Sequence, residues 1–266
     1  MPFLGVIMTN GNVRVIVLRA AGTNCDKETV FAFEQAGARV DSVHINRLGD
    51  SPRLLDNYQI LVIPGGFSYG DDISAGKIFA VRLRHELGEQ LSEFVQGDKL
   101  VLGICNGFQV LVKAGLLPQP ELKGDFSQKL TLSDNDSGKY EDRWVWLKSF
   151  SRKCAFIKSG EMIYLPVAHG EGKFIPRDNE ILDQLRQKDQ IVFRYVDDHG
   201  QPGPFPINPN GSVDDIAGIC DPSGKIFGLM PHPERHIDPT QNPDKNAKQK
   251  KSSGMKIFTN AVKYFV

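Results

Sequence analysis

The sequence predicts an α/β fold: a doubly wound, mostly parallel central sheet with helices on both faces and added antiparallel strands in the C-terminal half. Three observations carry this reading. Four strand-like runs, 13–18 (VRVIVL), 39–45 (RVDSVHI), 59–63 (QILVI) and 99–104 (KLVLGI), are separated by helix-length segments. The segments after the third and fourth runs are Gly-rich, and they fall beyond the strand ends, where such sheets bind ligands. The second half instead shows short strands and a hairpin, consistent with strands added to the same sheet.

The expected domain covers 13–266, preceded by a candidate disordered leader at 1–12. MPFLGVIMTNGN lacks the basic region and long apolar stretch of a signal peptide. The first strand starts near Val13. After the turn at 19–26, Thr23, Asn24 and Asp26 are candidate caps for a helix over 27–36 that stops at Gly37. The second strand is followed by a short helical or turn segment at 54–58. The third runs into 64–73, PGGFSYGDDI, whose backbone N–H groups could form an oxyanion site. A tight turn that merely needs glycine is the plainer reading, and no phosphate-loop pattern is present. Phe79, Leu83, Leu87, Leu91 and Phe94 then recur at helical spacing over 78–96.

Residues 103–107, Gly-Ile-Cys-Asn-Gly, join the fourth strand to a helix over 108–114 in the form Gly-x-nucleophile-x-Gly. A sharp strand-to-helix turn needs small flanking residues, and it lifts the central side chain clear of the sheet. Cys105 is thereby aimed at a helix N-terminus, whose positive potential favours a thiolate. Taken alone, Cys105 could equally be a small buried hydrophobe.

Beyond Pro118 the chain is polar and turn-rich over 124–142. Strands are expected at 144–147, 155–157, 162–166 and 191–196, then a hairpin over 216–230. The hairpin delivers Pro231-His-Pro-Glu-Arg235. Residues two apart in an extended chain share a side, so His232 and Glu234 could act together as base and orienting acceptor. A surface pair of Glu234 with Arg235 is the alternative. The lysine-rich stretch 238–254 reads as a loop, and 255–265 as a closing helix.

Composition narrows the function classes. The 266 residues are 40% hydrophobic and 24% charged, as in ordinary globular proteins. Formal net charge is zero, so nothing recommends nucleic acid or an anionic membrane as partner. No run approaches the roughly 20 apolar residues of a membrane span. Four scattered cysteines without a Cys-x-x-Cys pair argue against structural zinc and disulfide scaffolding, and for a reducing cytoplasm.

Three motifs coincide: Gly65-Gly-Phe-Ser-Tyr-Gly-Asp-Asp72, Gly103-Ile-Cys-Asn-Gly-Phe-Gln109 and Gly228-Leu-Met-Pro-His-Pro-Glu-Arg235. With 19–26, 168–172 and 208–212, they resemble the class I (triad) glutamine amidotransferases, and within that family a glutaminase of purine biosynthesis. The resemblance implies that Cys105 attacks the glutamine amide to form a thioester, with His232 as base and acid and Glu234 orienting it. Backbone N–H groups around Gly65, Gly66, Phe67 and Asn106 would meet the oxyanion, and Gln109 would help hold L-glutamine. His169 and Glu171 are weaker candidates for the pocket or the ammonia exit. No cofactor or metal is implied in this chain. ATP and Mg are expected on a large synthetase partner that uses the ammonia on formylglycinamide ribonucleotide, with a small bridging subunit joining the two. Cys25, also just before a helix, is a rival thiol without an elbow. A cysteine hydrolase of related fold (γ-glutamyl hydrolase-like) and a non-catalytic binding module are the rival functions.

Overall fold

In the computed structural model, which describes residues 13–122, 127–243 and 254–266, the fold is built outward from strand β1 (Arg14–Arg19). Its apolar centre, Val15 to Leu18, is buried on both faces, as a central parallel strand requires. Burying each such side chain contributes about 1.5–3 kcal/mol before entropy is charged against it. β1 pairs in parallel with β2 (Arg39–His44) on one side and with β3 (Ile60–Ile63) on the other. β4 (Leu100–Ile104) continues beyond β3.

Helix α1 (Asp26–Gln35) links β1 to β2. A short α2 (Ile45–Asp50) follows β2, and α3 (Lys77–Gln96) links β3 to β4. The two crossovers run in opposite directions along the sheet, so right-handed connections place α1 and α3 on opposite faces. The reversal falls between β1 and β3, the switch point where a ligand crevice opens. After β4 come α4 (Asn106–Lys113), β5 (Leu130–Ser133), β6 (Glu141–Ser149), β7 (Met162–His169), β8 (Lys173–Pro176) and α5 (Asn179–Gln187). β9 (Ile191–Val196), β10 (Ile216–Cys220), β11 (Ile226–Leu229) and α6 (Met255–Lys263) complete the order.

The main sheet runs β2-β1-β3-β4-β11-β10-β9-β6-β7, while β5 and β8 form a separate antiparallel pair. β11 is parallel to β4, and β10, β9, β6 and β7 then add antiparallel strands, as the sequence predicts. Phe33 of α1 meets Phe258 of α6 edge to face, 5.0 Å between ring centres, closing one helical layer.

Several local expectations are corrected. Helix α1 starts at Asp26 with Cys25 as its cap residue and no side-chain cap bond. The Thr23 hydroxyl is committed to Ala20 N–H at 3.0 Å within the turn, and Asp26 and Glu28 complement the helix dipole instead. Residues 155–157 form a turn, where Ala155 N–H donates to Gly224 and Phe156 fills the core against Phe227. Ile45 opens α2 and does not end β2. Helix α5, capped by Asp178 and burying Ile181, Leu182 and Leu185, was not read from its 9 residues. The leader 1–12, and 244–253 of the lysine-rich stretch, lie outside the described residues.

Candidate active site

Four neighbouring parallel strands, β1, β3, β4 and β11, end on one edge, and the turn after each contributes to one crevice. Cys105 forms the elbow between β4 and α4 with φ 50° and ψ −106°, a left-handed conformation for a residue that carries a Cβ. Such strain costs of order 1–3 kcal/mol and persists only where the surroundings impose it. Here they do. Cys105 N–H donates to Leu229 O at 2.8 Å, tying the elbow to β11. A Cβ on Gly103 would lie 2.7 Å from Gly107 O, and one on Gly107 only 1.8 Å from Ile63 O. The motif's two glycines are therefore steric requirements of the turn.

His232 follows directly from the β11 end. Its N–H donates to Pro166 O at 2.8 Å, and its Nδ1–H donates to Glu234 Oε1 at 2.6 Å. Extended alternation is not what brings the two together. Residues Pro233–Arg235 form a 3-10 turn that curls Glu234 back onto the ring. Nor is Glu234 on the surface beside Arg235: it is 1% exposed, and the Arg235 guanidinium donates instead to Cys25 Sγ at 3.1 Å. Burial opposes charge on the His232 ring, but Glu234 and then Cys105 favour it by more, and its pKa stands well above the usual value. Nε2 has no hydrogen-bond partner, which leaves it available to a reacting group.

Gly65 makes room for this ring, because a Cβ there would lie 2.7 Å from His232 Cε1. Gly66 has φ 142°, and a Cβ would lie 2.7 Å from Asn24 N. Phe67 corrects the sequence reading: its N–H donates to Gly22 O at 2.9 Å and is not available to an oxyanion. The candidate donors that remain are the Gly65, Gly66 and Asn106 N–H groups, the last in the first turn of α4, where intrahelical acceptors are lacking.

A buried polar chain braces the crevice. The Asn106 amide donates to Asp71 Oδ1 at 3.2 Å and Gln109 Oε1 at 3.0 Å, and accepts from Ser68 N–H at 3.3 Å. Gln109 in turn donates to Glu171 O at 2.5 Å, so its amide braces the 168–172 loop. The Glu171 carboxylate accepts from Ala75 N–H, and buried Lys113 donates to Ser74 Oγ and Ala75 O at 2.6 and 2.5 Å. Together these bonds join the Gly-rich loop, α4 and the end of β7 around a cavity of roughly 210 Å³ lined by Cys105. His169 also lines it, with burial holding its pKa down at about 4. Tyr140, 51% exposed, stands at the cavity with its ring 6.3 Å from that of Phe67.

Asp71, Lys113, Tyr140 and Asn135, whose side-chain amide donates to His169 O at 2.8 Å, are contributors the sequence reading missed. Lys113 carried a signal, as a lysine directly after the apolar run Val110-Leu-Val112 at the end of α4; Asn135 and Tyr140 carried none. Cys25 Sγ, His232 Nδ1 and a Glu234 oxygen lie within 4.8 Å of one another, a spacing a metal ion could bridge. The His–Glu hydrogen bond and the Arg235 guanidinium beside Cys25 oppose a cation there.

A cysteine at a strand-to-helix elbow, with a His–Glu pair at the end of the adjacent parallel strand, defines a glutamine amidotransferase of the class I type. The chain belongs to that family: the model of the CobB/CobQ-like glutamine amidotransferase domain matches residues 12–265. It is similar to phosphoribosylformylglycinamidine synthase subunit PurQ of Dehalococcoides mccartyi, 47% identical over 257 residues covering 95% of this chain and 97% of that one. PurQ of Methanococcus maripaludis is 43% identical over 267 residues, again covering 95% and 97%. Among solved structures, a chain of PurLQS from Thermotoga maritima matches with TM-score 0.73 and 32% identity, covering 96% of this chain and 100% of that one.

Proposed function

We propose that the chain is the glutaminase subunit of phosphoribosylformylglycinamidine synthase. It hydrolyses L-glutamine to glutamate and supplies ammonia to a large synthetase subunit, in a complex that includes a small bridging subunit. That partner converts formylglycinamide ribonucleotide to formylglycinamidine ribonucleotide in purine biosynthesis, and ATP and Mg act there. The reading rests on Cys105 at the β4–α4 elbow and the buried His232–Glu234 pair at the end of the adjacent parallel strand β11, in a chain 47% identical to a PurQ. No helix among the described residues is long and apolar enough to cross a membrane. Four free cysteines support a cytoplasmic location.

In this mechanism the Cys105 sulfur attacks the side-chain amide carbon of glutamine, and its proton passes to His232 Nε2. Negative charge develops on the amide oxygen, where Gly66 and Asn106 N–H groups stabilise it. His232 then protonates the departing nitrogen, the C–N bond breaks, and ammonia leaves a γ-glutamyl thioester. A water deprotonated by His232 attacks the thioester, and the C–S bond breaks to release glutamate and restore the thiol. Glu234 supports the imidazolium in both steps.

Reconstitution with the two partner subunits tests the reading. Cys105→Ala is expected to abolish product formation from glutamine and to leave formation from added ammonium salt in place. Undiminished glutamine-dependent synthesis by Cys105→Ala would overturn it.

A further inference from the structure

The cavity beside Cys105 is lined by three carboxylates, Asp71, Asp134 and Glu171, and by no lysine or arginine among the described residues. The three are not equivalent. Both Glu171 oxygens accept from Ala75 N–H, with Lys113 3.9 Å away, and Asp134 is exposed. Asp71 is half-buried. Its Oδ1 accepts from Gly76 N–H and the Asn106 amide, both at 3.2 Å, while Oδ2 takes neither bond. Burial raises the Asp71 pKa, so its charge is incompletely compensated by the protein.

An independent observation points to a ligand. His169 is 3% exposed, and its Nδ1 faces Asn135 Oδ1 at 3.1 Å. The Asn135 amide nitrogen donates to Lys139 O and His169 O, and Gly172 N–H donates to Oδ1. That network fixes Oδ1 as an acceptor and His169 Nδ1 as the protonated nitrogen. Nε2 of the neutral ring is then an acceptor, and it is buried without a partner in a residue that lines the cavity. An orphaned acceptor and a half-free carboxylate, with no side-chain cation between them, fit a ligand that brings N–H donors and positive charge.

We propose that Asp71 binds the α-ammonium group of the glutamine substrate and thereby selects the free amino acid over side-chain amides that lack this group. His169 Nε2 accepts a further N–H of the same ligand. The assignment rests on the glutaminase reading above.

The test compares L-glutamine with glutaramate, the same amide without its α-amino group, as substrates of the complex reconstituted with its partner subunits. Asparagine tolerates the left-handed φ of 53° at position 71, so Asp71→Asn removes the charge and keeps the backbone. The ratio of kcat/KM for glutamine to that for glutaramate is expected to fall about 10- to 100-fold, chiefly through KM for glutamine. Asp71→Glu is expected to recover part of the ratio. An equal loss on both substrates, with the ratio unchanged, would overturn the inference and leave Asp71 as a support for Asn106. Glutamine turnover by the wild type that Cys105→Ala abolishes tests the underlying reading separately. Its absence would overturn that reading and this inference together.

Discussion

Glu234 Oε1 lies 2.6 Å from His232 Nδ1, and both side chains are buried. The carboxylate fixes the ring's tautomer and offsets the burial that would otherwise keep it neutral. Replacing Glu234 by Gln keeps the shape and removes the charge. Glutaminase kcat/KM is expected to fall at least ~100-fold, the lower end of general acid–base contributions. The His232 pKa is expected to drop in the same variant, which NMR titration of the ring would read. Retained activity would mean that Glu234 only packs.

Two of the buried histidines, His232 and His169, respond to pH with opposite sign. His232 has a raised pKa, so the stability it contributes is fully present below pH 6.5 and is lost as pH climbs through its folded value. His169 is held down at about 4, so the unfolded chain takes up its proton first as pH falls. Its contribution is present above pH 6.5 and is lost between pH 6.5 and about 4. At about 1.4 kcal/mol per pH unit this loss is of order 3 kcal/mol. Urea unfolding at pH 7 and pH 4.5 is expected to show a smaller drop in His169→Gln than in the wild type.

Two glycines separate steric need from conformational cost. Gly107→Ala would drive a Cβ to 1.8 Å from Ile63 O, and a loss of at least about 3 kcal/mol, or of folding, is expected. Gly88, inside α3, has nothing within 4 Å of the same added atom. Gly88→Ala is expected to stabilise by about 0.5–1 kcal/mol. Thermal melts of the two variants check both signs.

The parts legible in sequence are those encoded locally. β1, β3 and β4 announce themselves as apolar runs, and the elbow follows from Gly103 and Gly107, because only glycine fits both positions. What distant segments impose on one another was hidden. The sequence suggested that His232 and Glu234 act together, but gave extended alternation where a 3-10 turn does the work. Phe67 offers its N–H to the crevice on paper, yet Gly22, from a different loop, takes it. Gln109 sits one turn past the nucleophile, but the return of the chain at Glu171 captures its amide. Helix α5 fell below notice because 9 residues give too few periods to recognise.

Cys25 supplies the sharpest challenge to the account. Its Sγ lies 4.0 Å from His232 Nδ1 and precedes a helix, so this second thiol also neighbours the candidate base. It differs from Cys105 in facing the nitrogen already committed to Glu234, and burial, the largest influence, raises its pKa. Treating the chain with a diazo-ketone analogue of glutamine and mapping the adduct by mass spectrometry decides between them. One adduct is expected, on Cys105, suppressed by glutamine and absent from His232→Ala. An adduct on Cys25 with Cys105 unmodified, or no adduct even with the partner subunits bound, would contradict it.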